Sequence, residues 1–238
     1  MNNHIVSAFN VELKDVASRV VEMGGLAEAL SRDAVHALIT NDVETARKVI
    51  EADKRLDAMQ ADLENLCISI IARRQPVASD LREVIAAMRV SNDLERVGDL
   101  AKNVAKRALA IETSLKAMEL GVGVEHMSEL ALNQLKDTLD AYTTGDERTL
   151  KAVQLRDKEV DALYTSIFRQ LLTYMMEDPR NISMCAHLLF CAKNIERIGD
   201  HATNIAENIY YMFTGNHLPV ERPKTDELDV GRQNVPTE

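Results

Sequence analysis

An all-α fold, built as two tandem pseudo-symmetric three-helix bundles, is what three features of this sequence predict: an aliphatic, aromatic-poor composition, an internal repeat, and turn residues confined to a few places. Apolar residues make up 46% of the 238, aromatic ones only 4%, and Trp is absent. A palette of Ala, Leu, Ile, Val and Met suits helix-on-helix packing better than sheets, and the chain is long enough to fill real cores. The repeat has an offset near 101 to 104 residues. Asn92-Asp93-Leu94-Glu95-Arg96-Val97-Gly98-Asp99 returns as Lys193-Asn194-Ile195-Glu196-Arg197-Ile198-Gly199-Asp200, with Asn103 returning as Asn204. Upstream, Asp53-Lys54-Arg55-Leu56-Asp57 returns as Asp157-Lys158-Glu159-Val160-Asp161. Self-similarity at a fixed offset marks two copies of one structural unit.

Glycine and proline punctuation cuts each copy into three helices, expected at 5–40, 42–73, 79–112, 124–143, 146–177 and 180–213. The first carries Gly24-Gly25, where a kink or break is expected, with no glycine at the matching place in the second copy. The first turn repeats as Thr40-Asn41-Asp42 and Thr144-Gly145-Asp146, each a residue tolerant of left-handed backbone followed by an Asp suited to N-capping. The second helix places Val49, Ala52, Leu56, Met59, Leu63, Leu66 and Ile70 at alternating three- and four-residue steps, which is a bundle core seam. Pro76 before Ser79, and Asp178-Pro179, mark the second turn of each unit, with Ser79 and Asp178 as candidate N-caps. The third helix has its seam at Leu94, Val97, Ala101, Val104 and Ala108; the sixth at Ile195, Ile198, Ala202, Ile205, Ile209 and Met212. Residues 1–115 form the expected first bundle and 116–214 the second. Residues 215–238, with Pro219, Pro223 and Pro236 among mixed charges, read as a flexible tail.

Charge excludes one large class of partner. A formal net charge of −10 repels phosphate backbones, and nucleic-acid binding depends on clustered Lys and Arg. Cys67, Cys185 and Cys191 are an odd count in apolar helical contexts, which fits reduced core thiols better than a disulfide framework. Met1 to Asn10 carries no basic stretch followed by an apolar one, and no window approaches a run of about 18 to 20 apolar residues. A cytoplasmic protein without direct membrane insertion is expected, reaching membranes through partners.

Acidic residues recur in register in both copies. Glu196 and Asp200 lie four apart on one helical face, turned from the apolar seam, and Asn204 continues that face; Glu95, Asp99 and Asn103 do the same in the first copy. Asp53 and Asp57 flank the seam of the second helix, as Asp157 and Asp161 flank that of the fifth. Like charges at this spacing destabilise a bare helix, so four such pairs ask for a compensating cation. The 38 acidic residues would by chance produce roughly six such pairs, most of them solvated faces. The duplicated register on two neighbouring helices is the stronger signal, although duplication can also preserve it for packing alone. Gly98 and Gly199 stand beside the carboxylates, where a helical glycine costs about 1 kcal/mol relative to Ala. Close helix packing and metal access both account for them.

A metal here would meet carboxylate and amide oxygens, which suits iron, manganese, magnesium or calcium and disfavours tetrahedral zinc. His201 lies about 100° around the helix from Asp200 and is read as a bystander. The second and third helices of a unit run antiparallel, so their acids can converge, and several in one site favour a multinuclear cluster. Catalysis is poorly supplied: there is no Gly-rich phosphate loop, no HExxH, no nucleophile elbow and no paired Glu-x-x-His. The acids are expected to face outward, and the competing reading is a carboxylate-bridged, metal-dependent helical-bundle enzyme.

Three stretches also resemble the PhoU family: Arg74-Gln75-Pro76-Val77-Ala78-Ser79-Asp80-Leu81-Arg82, Asp93 to Asp99, and Asn194 to Asn208 with its Glu-Arg-Ile-Gly-Asp-His-Ala-Thr-Asn-Ile-Ala-Glu run. The resemblance covers roughly residues 5–213. It implies paired three-helix bundles, each with an acidic motif carrying a multinuclear metal cluster on the surface. Those motifs map onto Glu95 and Asp99, and onto Glu196 and Asp200, with Asp53, Asp57, Asp157 and Asp161 facing them. It further implies a negative regulator of the phosphate regulon, relaying the state of a phosphate ABC transporter, through its ATPase subunit, to a phosphate-sensing membrane histidine kinase. A homodimer is left open. The first copy departs from the second where Lys102 and Lys106 stand opposite Thr203 and Glu207, placing cations near its acid face.

Overall fold

The computed structural model describes residues 2–111, 114–115 and 119–218. Six long helices make up the fold, with no strand among the described residues: α1 (Asn2–Thr40), α2 (Val43–Arg74), α3 (Ala78–Ala108), α4 (Glu119–Thr144), α5 (Glu147–Glu177) and α6 (Ile182–Thr214). A short 3₁₀ turn, Pro179–Asn181, leads into α6. None of these helices is long and apolar enough to cross a membrane.

The turns form as their residues dictate. Asn41 (φ 59°) and Gly145 (φ 72°) take the left-handed backbone that reverses the chain. Asp42 then accepts a hydrogen bond from the Thr45 amide and Asp146 one from the Arg148 amide, each satisfying a donor at a helix start. Asp178 caps the 3₁₀ turn through the Arg180 amide. Ser79 does not cap α3; extended Val77 occupies that position without a side-chain hydrogen bond, and Ser79 lies inside the first turn. Gln75 and Ala78, both at φ 49°, bend the chain sharply enough to start α3 earlier than the proline spacing suggests.

All the predicted seam residues of α3 are buried, as are Val49, Leu56, Leu63 and Ile70 of α2 and Ile195 to Ile209 of α6. Cys67, Cys185 and Cys191 are free thiols packed in the core. In one half α1, α2 and α3 pack together; in the other, α4, α5 and α6 do. The most extensive single contact joins α3 to α6, with α1 also touching α4, and buried residues of both halves form one continuous core. α3 and α6 therefore bury two sides each, a wider stripe than a single seam implies.

α1 runs unbroken through Gly24-Gly25. Gly24 is instead a contact point: a Cβ there would fall 2.5 and 2.6 Å from the methyls of Leu139 on α4, whereas one on Gly25 meets nothing within 4 Å. Gly24→Ala is expected to cost about 1–2 kcal/mol, overpacking outweighing the gain in helix propensity. Gly25→Ala is expected to stabilise by about 0.5–1 kcal/mol. Urea midpoints of the two variants moving in the same direction would contradict this packing.

Candidate functional site

Both acid constellations assemble across a helix pair, and they are less exposed than the helical wheel suggests. Asp53 is 1% exposed, Asp157 4% and Glu196 9%. Glu95, Asp99 and Asp200 are half-buried, and only Asp57 and Asp161 are exposed. The expectation of outward-facing acids is thus corrected for three of the eight. The reason was present in the spacing: Asp53 follows Val49 by four residues and precedes Leu56 by three, as Asp157 does with Val153 and Val160, so each occupies a seam position.

The glycines set how closely the helices approach. A Cβ on Gly98 would clash with the Leu56 methyl and lie 3.2 Å from Asp53 Oδ1, so α2 packs directly over that glycine. In the second bundle a Cβ on Gly199 would meet Gln134 Oε1 at 3.1 Å and Asp157 Oδ1 at 3.5 Å. Gln134, from α4, is an unanticipated member of this site; it is fully buried, and neither its amide oxygen nor its nitrogen has a partner among the described residues. Its place on the buried seam of α4, three residues after Ala131 and seven after Met127, was the available signal.

In the first bundle Lys102 fills the centre. Its Nζ donates to Asp53 Oδ2 at 2.5 Å and to Asp99 Oδ1 at 2.6 Å. Burial pulls the ammonium down, but the hydrogen bonds and charges of Asp53 and Asp99 outweigh it and hold the group well above an ordinary lysine. Burial pushes the carboxyls of Glu95 and Asp57 up, the neighbouring acids adding to the effect in both. Lys106 is not among these contacts. The equivalent of Lys102 in the second bundle is Thr203, buried and hydrogen-bonded to the Gly199 carbonyl.

In the second bundle Glu196 Oε1 accepts from Lys193 at 2.6 Å, while Oε2 is buried without a partner among the described residues. Burial, with Asp200 and Asp161 nearby, holds the Glu196 carboxyl above its usual value despite Lys193. Among the described residues no three His, Cys, Asp or Glu side chains are drawn close enough to hold a metal ion. The donor chemistry nonetheless separates the two halves. The second offers a buried carboxylate oxygen on Glu196 and a buried amide oxygen on Gln134, neither with a partner among the described residues and both of a donor type that suits an oxygen-seeking cation; the first is already held by an ammonium.

His201, read from the sequence as a bystander, is a connector. Its Nδ1 lies 3.0 Å from Asp93 Oδ1, joining α6 to α3 across the two bundles, and both side chains are largely buried. Arg107 of α3 adds to the same seam by stacking 4.5 Å over the ring of Phe190. Neither partner was identifiable from its own helix, because each lies in the other copy of the repeat.

The paired geometry has close parallels. A family model described as the PhoU domain matches twice, over residues 20–108 and 124–209. A protein of Rhizobium meliloti described as a phosphate-specific transport system accessory protein PhoU homolog is 56% identical over 223 residues, covering 94% of each chain. The crystal structure of PhoU from Pseudomonas aeruginosa superposes with a TM-score of 0.83 at 41% identity, covering 87% of this chain and 100% of that one. The phosphate transport system regulatory protein PhoU from Streptococcus pneumoniae gives a TM-score of 0.81 at 28% identity, over 88% and 99% of the two chains. With both halves matched and the arrangement shared end to end, this chain belongs to the PhoU family.

Proposed function

We propose that this chain is an accessory protein of a phosphate-specific transport system, acting in the cytoplasm by binding rather than by turnover. It represses the phosphate regulon when phosphate is plentiful by coupling the transporter's ATPase subunit to a phosphate-sensing histidine kinase, and it modulates uptake. The observation that carries this reading is the end-to-end likeness to a relative described as a transport accessory protein. The fold is consistent with it: long helices offer extended surfaces to protein partners, a net charge of −10 disfavours nucleic acid, and no helix among the described residues is long and apolar enough to cross a membrane. Deleting the gene should switch phosphate-starvation genes on in phosphate-rich medium, and the tagged chain should co-purify the ATPase subunit or the kinase. Normal repression with neither partner recovered would rule out the role.

The metal reading is part of the same proposal. Glu196 and Asp200, with Asp157 and Asp161 from α5, would hold iron, manganese or magnesium on oxygen ligands, as a multinuclear cluster where several acids share ions. The equivalent set, Glu95, Asp99, Asp53 and Asp57, would take a metal only if Lys102 withdrew. Bound cations would neutralise acid faces that otherwise repel one another. The double substitution Glu196→Gln, Asp200→Asn is expected to abolish most bound metal, measured by elemental analysis after purification without chelator, while the helical circular dichroism stays unchanged. Unchanged stoichiometry would place the ions elsewhere.

A further inference from the structure

Where the two bundles meet there is a cleft of ≈ 630 Å³, lined from α1, α3, α4 and α6. That volume falls in the range of small-molecule sites, which are typically mostly apolar with a few convergent polar groups. Val21, Met212 and Phe213 form its apolar walls, and Val21 and Phe213 remain 40% and 42% exposed. Two polar residues that line the cleft carry buried atoms without partners among the described residues. Tyr142 is 6% exposed, with its hydroxyl buried and no hydrogen-bond partner among the described residues. Arg82 is half-buried with its Nε enclosed and unpartnered, and none of the described carboxylates forms an ion pair with it. Its guanidinium lies where Gly215 has no side chain, 3.6 Å from the position a Cβ would take. The C-terminal turn of α6 thus attracts the cation electrostatically, yet leaves its donors available.

Arg82 also closes the Arg74–Arg82 run, which the carboxylate sites do not use. Arg74 pairs with Glu12 on α1 at 2.9 Å, anchoring one end. The left-handed Gln75 and Ala78 then bring Ser79 and Arg82 to the cleft; backbone strain of this kind persists where the surroundings over-determine it, commonly at functional sites. Glu83 faces the same space. Burial and Asp80 push its carboxyl up, which eases its protonation beside a bound anion.

We propose that this cleft binds a small organic anion, a phosphate or carboxylate group paired with Arg82, with an apolar body lying against Val21, Met212 and Phe213. Arginine is suited to this because its planar fork meets a carboxylate or phosphate through two parallel hydrogen bonds. The ligand touches all four helices that join the bundles, so occupancy would set how firmly they hold together. The site does not depend on the regulatory role.

The test uses the full chain and the anionic aromatic probe 1-anilinonaphthalene-8-sulfonate, followed by fluorescence. One saturable site per chain is expected, weakened about tenfold by Arg82→Gln, the effect of losing a charge-assisted pair. Tyr142→Phe, which removes a hydroxyl closed off from the cleft, should leave the affinity unchanged and the melting temperature unchanged or higher. Octyl phosphate and octanoate should displace the probe, and whichever does so at lower concentration identifies the headgroup. Wild-type affinity in Arg82→Gln would overturn the site. Displacement by inorganic phosphate as effective as by octyl phosphate would overturn the apolar half of the proposal.

Discussion

Replacing Lys102 with Met is expected to destabilise the fold by about 3–5 kcal/mol, the cost of leaving a buried charge without its partner. The side chain of Asp53 is 2% exposed and that of Lys102 21%, so solvent can do little to replace the lost ammonium. Asp53 Oδ1 already has no partner among the described residues, and the substitution would orphan Oδ2 as well. The double variant Lys102→Met, Asp53→Leu should recover most of the loss, because removing both members of a buried pair is often neutral. Denaturant titrations of the two variants measure this directly; a single variant as stable as wild type would mean that Asp53 finds other solvation. Millimolar Mn²⁺ should restore part of the stability of the single variant and none of the double, since only the former keeps both Asp53 and Asp99 while removing the ammonium between them. The folded-state pKa of Lys102 lies above its ordinary value of 10.5, so its stabilisation is complete below that pH and fades only as alkalinity rises toward the folded value. Measurements near neutrality capture all of it.

That pair also shows what the sequence could reveal and where it stopped. The seams, both reversing turns and the caps at Asp42, Asp146 and Asp178 were legible because each depends on residues within one or two helical turns. The eight acids were legible as a duplicated pattern for the same reason. Their burial was not, because it depends on which helix lies opposite: α2 covers Gly98, whereas Gln134 of α4 reaches Gly199. Lys102 was visible as a cation near the acid face, but its bridging of Asp53 and Asp99 spans 49 residues of sequence. Tyr142 and Arg82 come from different bundles and gave no local sign of sharing a cleft, and His201 finds Asp93 only after α3 and α6 dock. Ser79 failed as a cap for a different reason. The left-handed residues beside it shift the cap by two positions, from Ser79 to Val77, which a proline-based boundary cannot anticipate.

The second bundle should respond in the opposite sense to the first. Glu196 carries a buried oxygen without a partner among the described residues and a carboxyl raised by burial, so its charged form opposes folding of the metal-free chain. In chelator-treated protein Glu196→Gln is therefore expected to raise the melting temperature at pH 7 by roughly 2–4 °C, the equivalent of about 1 kcal/mol in a chain of this size. The partial loss of the Lys193 contact subtracts little, because that side chain is 48% exposed. The sign of the pH dependence follows from the raised folded-state value. Below about 4.5 the glutamate is protonated in both folded and unfolded chains and costs nothing; as pH rises past that value the unfolded chain loses its proton first, and wild type loses stability relative to the variant. The gap between the two melting curves should thus be near zero at pH 4, open above it, and stay open at pH 7. Other carboxyls, among them Glu12 and Asp42, shift the other way in both proteins and cancel in the difference. Adding Mn²⁺ at pH 7 should reverse the order, stabilising wild type more than the variant, because a bound cation turns the repelled charge into a ligand. A variant that is less stable than wild type without metal would show that Lys193 satisfies Glu196, and would remove the electrostatic reason for a cation at this site.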